Sequence, residues 1–206
     1  MGDNGAVTTP APVRPRRRWL PFAAGAITFI VVLVAAGGLA ADWVARNAEM
    51  RTLVTRIEAS EAAMSAFQAD VQAIVGEYAG SEALSVEDRA ALDIELEKAA
   101  ETGRDRIAEA GEGVGAVTWL SWHREVGTAQ DAYLAHNRAW QAYLARAAED
   151  PAEFDVEQTD VNTTFAAAEQ PIRAALPDPA LYDLDSRVDL IFAPPPSADG
   201  GPTQSV

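Results

Sequence analysis

The chain has 206 residues, no cysteine, and 31 acidic against 16 basic residues, for a formal net charge of -15. That length allows one domain of ordinary size with appendages. Without cysteine there is no disulfide framework, no lipid-modified cysteine and no thiolate metal ligand or nucleophile. The acidity makes nucleic acid and anionic lipid, whose phosphates are repelled, poor partners.

Residues 1–18 are poor in apolar side chains and rich in Pro, Gly, Thr and Arg, and are expected to form a disordered basic tail. Residues 19–41 (WLPFAAGAITFIVVLVAAGGLAA) carry no charged side chain. As a helix this stretch is about 35 Å long, enough to cross a hydrocarbon slab about 30 Å thick. A single transmembrane helix is therefore predicted, with Trp19 and Trp43 bracketing it as interfacial aromatics.

Arg14, Arg16, Arg17 and Arg18 precede the span, and Asp3 is the sole acid before it, so residues 42–206 hold 30 acids against 12 basic residues. By the positive-inside rule the N-terminus is cytoplasmic and the remainder extracytoplasmic. A cleaved signal is the rival reading. Ala40 and Ala41 offer a cut, and Pro15-Arg16-Arg17-Arg18-Trp19-Leu20 is similar to a twin-arginine export signal. The span exceeds the usual signal length of about 7 to 15 apolar residues, which favours an anchor. Fifteen arginines to one lysine, with abundant alanine, is a usage associated with GC-rich bacterial genomes.

Residues 42–193 are predicted to form an all-α domain. Trp43, Met50, Ile57, Met64, Val71 and Tyr78 fall seven apart, with Leu53, Phe67 and Ile74 three residues behind and polar breaks at Arg46 and Ser60. This is an a/d seam, so the membrane helix is expected to run out as a stalk ending near Gly76 or Gly80. Ser85 with Asp88 announces a second helix, with a stripe of Leu92, Leu96, Ala99, Gly103 and Ile107, broken by Gly111-Glu112-Gly113-Val114-Gly115.

A third helix is expected from Val117 to Ala148. Trp119, Val126, Tyr133 and Trp140 form one row, and Trp122, Ala129, His136 and Tyr143 a second. Glu149-Asp150-Pro151 ends it. A fourth is predicted from Val156 to Leu176 along Val161, Phe165, Ala168, Ile172 and Leu176, kinked at Pro171. Asp178-Pro179 reads as cap and first-turn proline of a short fifth helix with Leu181, Leu184, Val188 and Ile191. Residues 194–206 are expected to be a flexible tail. Amphipathic helices on short loops hide their stripes most simply as an antiparallel four-helix bundle.

Few constellations carry chemistry. Helical spacing rotates His136 about 220° from His123, so the two do not share a metal. His136 falls on the inner seam, where it reads as a hydrogen-bonded core histidine; the alternative is titration near neutrality, which would make bundle packing pH-sensitive. Asp183, Asp185 and Asp189 resemble a calcium loop, but Arg187 stands at a ligand position. The acid pairs Glu87/Asp88 and Glu95/Glu97 have no nucleophile or histidine partner. No catalytic, cofactor or metal residue is assigned.

The most distinctive feature is the aromatic row Trp119, Trp122, Tyr133, Trp140 and Tyr143. It is either core or a surface that receives a partner. Trp43, Met50, Leu53, Ile57, Met64, Phe67, Val71 and Ile74 form a candidate self-association seam, making a homo-oligomer one expectation. The leading expectation is a non-enzymatic interaction or scaffold protein of the bacterial envelope, held in the cytoplasmic membrane through residues 19–41 and engaging an envelope or membrane protein. The alternative rests on architecture. A membrane helix entering a four-helix external domain is similar to the input domains of bacterial chemoreceptors and sensor kinases, which implies a ligand-sensing bundle acting through a partner.

Overall fold

The computed structural model describes residues 20–79 and 84–193, apart from the side chains of residues 20–31, 33 and 155. Among the described residues the chain is helical and without strands. The order is α1 (Leu20–Tyr78), α2 (Val86–Gly115), α3 (Arg124–Glu149), a 3-10 helix (Pro151–Asp155), α4 (Thr159–Ala175) and α5 (Leu184–Ile191). The expected tails 1–18 and 194–206, Trp19, Gly80 and most side chains of the uncharged stretch lie outside the described residues. The chain divides into two compact units, Met1–Asp42 and Trp43–Val206.

In the first unit the backbone is helical from Leu20. Its described apolar side chains are exposed, Val32 at 57%, Val34 at 70% and Leu39 at 73%. Among the described residues, no helix is long and apolar enough to cross a membrane.

The second unit is a helical bundle built on the a/d seam of α1. Met50, Leu53, Val54, Ile57, Met64 and Phe67 are buried in it. Contacts fix the directions of the helices. α1 meets α2 with rising number on one and falling number on the other, since Phe67 lies against Gly103 and Arg56 against Gly113. α2 and α3 oppose in the same way, with Asn137 bonded to Ile107 O and Gln130 to Val114 O. α4 returns from Val161 beside His136 to Ala175, whose carbonyl accepts a bond from Arg46 Nε at 3.0 Å. Up and down alternate through α1, α2, α3 and α4.

Two apolar clusters fill the interior. The proximal one joins Met50, Leu53, Ile57, Val114, Val126, Ala129, Ile172, Leu184 and Val188. The distal one joins Met64, Phe67, Ile107, Trp140, Tyr143, Leu144 and Val161, with Phe154 of the 3-10 helix packed against it. α5 is docked on α1 by Arg187, which donates through Nε and Nη2 to the two carboxylate oxygens of Glu58 at 2.7 and 2.6 Å. This paired geometry is the strongest form of such a contact.

Local signals were honoured at some boundaries and overridden at others. Ser85 caps α2 as the sequence implies, its Oγ accepting from Asp88 N at 3.0 Å. The glycines at 111–115, expected to break α2, lie inside it. Gly111 faces Asn137 so closely that an added Cβ would strike its side chain, so the residue answers a need for close approach rather than for a turn.

α3 begins at Arg124, not Val117, and α4 at Thr159, not Val156. Pro171 sits within α4, which continues to Ala175. Asp178-Pro179 does not cap α5. That peptide is cis, and Tyr182 and Asp183 adopt positive φ before the helix opens at Leu184.

Gly103 and Gly113 make a paired test of this reading. Gly103→Ala places a methyl into the Phe67 ring, which is held by Trp140 at 6.2 Å and Phe154 at 6.2 Å. The overpacking should cost about 1–3 kcal/mol and exceed the helix-propensity gain of about 1 kcal/mol. At Gly113 the nearest atom to a new Cβ is Arg56 Cδ at 3.8 Å, so Gly113→Ala should stabilise. Urea midpoints of the two variants are expected to move in opposite directions from wild type.

Candidate interaction surfaces

The five aromatics of the expected row do not share a surface. Tyr133, Trp140 and Tyr143 are buried, whereas Trp119 and Trp122 are 36% and 63% exposed. Trp140 and Tyr143 meet edge to face at 5.8 Å, and with Phe67 and Phe154 they make the aromatic floor of the distal core. These three therefore serve packing. Trp119 and Trp122 lie ahead of α3, on the segment linking it to α2.

That segment is held from several sides. Gln130 Nε2, itself buried, donates to Val114 O at 2.7 Å and Val117 O at 3.0 Å. Glu49 on α1 accepts from the Leu120 amide at 2.8 Å through Oε1, and its Oε2 lies 2.5 Å from His123 Nδ1. The His123 amide donates to Leu120 O at 2.8 Å. The Trp119 ring packs against Gly127, where an added Cβ would come within 2.7 Å of it. Trp122 meets the His123 ring edge to face at 5.9 Å. Two indoles are thus presented on a loop whose backbone is fixed by side chains from α1 and α3.

A second arrangement lies inside, as a polar layer between the two apolar clusters. Asn137 Nδ2 donates to Ser60 Oγ at 3.1 Å and Ile107 O at 3.0 Å, while its Oδ1 accepts from Gln141 Nε2 at 2.6 Å. Beside it, the Tyr133 hydroxyl donates to Glu61 Oε1 at 2.7 Å. His136 Nδ1 is 3.2 Å from Val161 O, which assigns that nitrogen the proton and leaves Nε2 facing Glu61 at 3.7 Å.

Burial disfavours charge on each member of this layer. It raises the Glu61 carboxyl, partly offset by the Tyr133 hydrogen bond, and it raises the Tyr133 phenol. It lowers His136 to about 4, so this imidazole is neutral at neutral pH, a hydrogen-bonded core histidine rather than one titrating near 7.

The self-association seam is largely consumed within the chain. Met50, Leu53, Ile57, Met64 and Phe67 are buried in the molecule's own core, and Trp43, Val71 and Ile74 are half-buried. The Trp43 indole N–H donates to Pro179 O at 2.9 Å. Beyond the reach of α3, α1 and α2 continue as a hairpin with a shallow groove of about 380 Å³ lined by Asp70, Ala73, Ile74, Glu95, Lys98 and Ala99.

The calcium-like aspartates are not gathered. Asp189 pairs with Arg173 at 2.6 Å, and among the described residues no group of three metal-ligating side chains occurs. Glu87, Asp88, Glu95 and Glu97 are exposed.

No protein-family model matches the chain, and no curated protein or solved structure matches it.

Two outcomes test these contacts. Glu49→Ala removes the carboxylate that accepts from the Leu120 amide and lies against His123, and should lower stability by about 1–3 kcal/mol, read as a reduced urea midpoint. For His136, the unfolded side chain binds a proton near pH 6.5 and the folded one only near 4. Stability contributed by neutral His136 is complete above pH 6.5 and is lost as pH falls toward 4. The stability of wild type relative to His136→Gln should therefore drop by roughly 3 kcal/mol between those pH values in parallel melts.

Proposed function

We propose that this chain is a membrane-anchored interaction or scaffold protein of the bacterial envelope, its bundle held outside the cytoplasmic membrane by residues 19–41. The observation that carries this reading is α1, in which one helix supplies both the uncharged stretch and the a/d seam that organises the bundle. The exposure of Val32, Val34 and Leu39 supports it, since hydrocarbon rather than water suits such a surface. The four arginines before the stretch and the acids after it support a cytoplasmic N-terminus.

An interaction role is supported by how the polar groups are used. Glu49, His123, Gln130, Asn137 and Glu61 are engaged in holding loops and helices in register. A ligand-sensing bundle is the second reading, favoured by the groove between α1 and α2, whose volume lies within the range of small-molecule sites.

The test is reconstitution of the full chain into vesicles, with flotation and protease accessibility. Flotation resistant to carbonate, with the bundle on one side and residues 1–18 on the other, is expected. Recovery of the chain as a soluble species beginning near Asp42 would sink the anchor. Crosslinking in native membranes should then yield defined protein neighbours, whereas a small molecule that raises the melting temperature at the groove would move the assignment to sensing.

A further inference from the structure

The apolar seam of the bundle outlasts the bundle. Along α1 its inward positions are fully buried at Met50, Leu53 and Ile57, almost so at Met64 and Phe67, and only half-buried at Val71, Ile74 and Tyr78. α2 mirrors this, with Ile107 and Ala100 buried, Leu92 half-buried and Ile94 64% exposed. The cause is the number of helices at each level. The distal core closes around Phe67, Trp140 and Tyr143, with Val71 at its edge. Past that edge α1 and α2 stand as a pair, and two helices cannot enclose a stripe that a bundle of four buries. A hairpin that merely turned the chain would gain nothing from apolar side chains at these positions.

The opening takes the form of the shallow groove of about 380 Å³ lined by Ala73 and Ile74 of α1 and Ala99 of α2. A small molecule is normally enclosed over roughly 70–90% of its surface, which a shallow groove does not provide. A helix laid along such a groove needs contact on one side only. Alanines at the contact allow a close approach, toward the short end of the usual interaxial distance of about 8–10 Å. On the α2 side, residues 86–102 offer about 25 Å of helix, room for four to five turns.

Charge selects among the possible occupants. Residues 69–101 hold nine acidic side chains against two basic ones, Arg89 and Lys98. Asp70 is already paired with Arg106 at 2.9 Å, whereas Glu77, Asp88, Glu95 and Glu97 are exposed. Partial desolvation, followed by the charges of Glu95 and Glu77, raises the Tyr78 phenol above its ordinary value, so the field along the hairpin is negative. A second copy of the chain would set acid against acid, and lipid phosphate is repelled in the same way. The complement of an apolar groove in an acidic setting is an apolar stripe flanked by lysines or arginines.

We infer that the α1–α2 hairpin is the docking site for a cationic amphipathic helix of another protein, whose apolar stripe covers Ala73, Ile74 and Ala99 and whose basic side chains face Glu77 and Glu95. The inference rests on the interaction reading given under Proposed function and names the chemistry of the partner. Flotation and crosslinking in native membranes test that reading wherever a neighbour binds, whereas the experiment below tests the groove alone.

The probe is a synthetic helical peptide of about eighteen leucines and lysines, roughly 27 Å long, with a benzophenone on its apolar face. Its twin carries glutamate at every lysine. Each is added to the full chain in zwitterionic nanodiscs, with empty nanodiscs as background, and adducts are mapped by mass spectrometry. The lysine peptide is expected to bind at least tenfold more tightly than its twin, to weaken with added salt, and to leave adducts between residues 70 and 102. Glu95→Arg should lower its affinity severalfold, and Ala73→Trp, which fills the groove without changing charge, should remove those adducts. Both positions are exposed, so the melting curves are expected to stay in place.

Equal binding of the two peptides, or adducts spread over α3 and α4 in place of the hairpin, would overturn the inference. So would ready formation of a disulfide dimer by Ala73→Cys in the otherwise cysteine-free chain, which would give the groove to a second copy. A small molecule that displaces the lysine peptide and raises the melting temperature severalfold more than the peptide does would give it to a ligand instead.

Discussion

The bundle depends on one polar crossing. Asn137 spends its amide on Ser60, Ile107 and Gln141 in a layer walled above and below by apolar clusters. Apolar a/d contacts are tolerant of sliding, because one leucine-sized knob resembles another. A buried amide is not, because a shift of either neighbour strands donors where water cannot reach them. Asn137 touches α1 through Ser60, α2 through Ile107 and Gly111, and its own helix through Gln141, so a single side chain sets the mutual register of three helices. Gly111 is the complement of that side chain, and the proximal and distal cores meet across the layer they share.

The neighbouring group of Glu61, Tyr133 and His136 follows the same logic with ionisable members. Each is kept uncharged, or drawn toward it, by the low dielectric around it, and each is oriented by a hydrogen bond to another element. Histidine in this setting is a neutral donor to the Val161 carbonyl on α4. The layer therefore ties α4 to α3 as Asn137 ties α1 and α2, and the bundle owes its specificity to polar contacts placed where apolar burial alone is permissive.

Much of this was legible in the sequence and some was not, for reasons that divide cleanly. The heptads of α1, the Ser85 cap and the break at Pro151 are local patterns, and the helices obey them. The glycines at 111–115 were misread because a glycine chosen for close approach has the same letter as one chosen for a turn. Trp119 and Trp122 continue the seven-residue spacing of α3 numerically, but the segment lies outside the helix and is held by Glu49, some seventy residues earlier in the chain. No window of sequence contains that contact. The seam on α1 was recognisable as a seam, while its partner, the chain's own α2, α3 and α4, was not a local property. His136 was correctly set inward, yet the depth of its burial, which decides its protonation, depends on Phe165 and Val161 of a later helix.

The bonds between the start of the second unit and the α4–α5 connection have a mechanical meaning. Trp43 and Arg46 reach from α1 to backbone carbonyls at Pro179, Ala175 and Ala174, and Asn47 receives the Leu181 amide. Tension along α1 would load these bonds together, as rivets in a lap joint, before any hydrophobic contact behind them is stretched. A pull on the first turns of the second unit is thus shared first with the returning chain at Ala174, Ala175, Pro179 and Leu181.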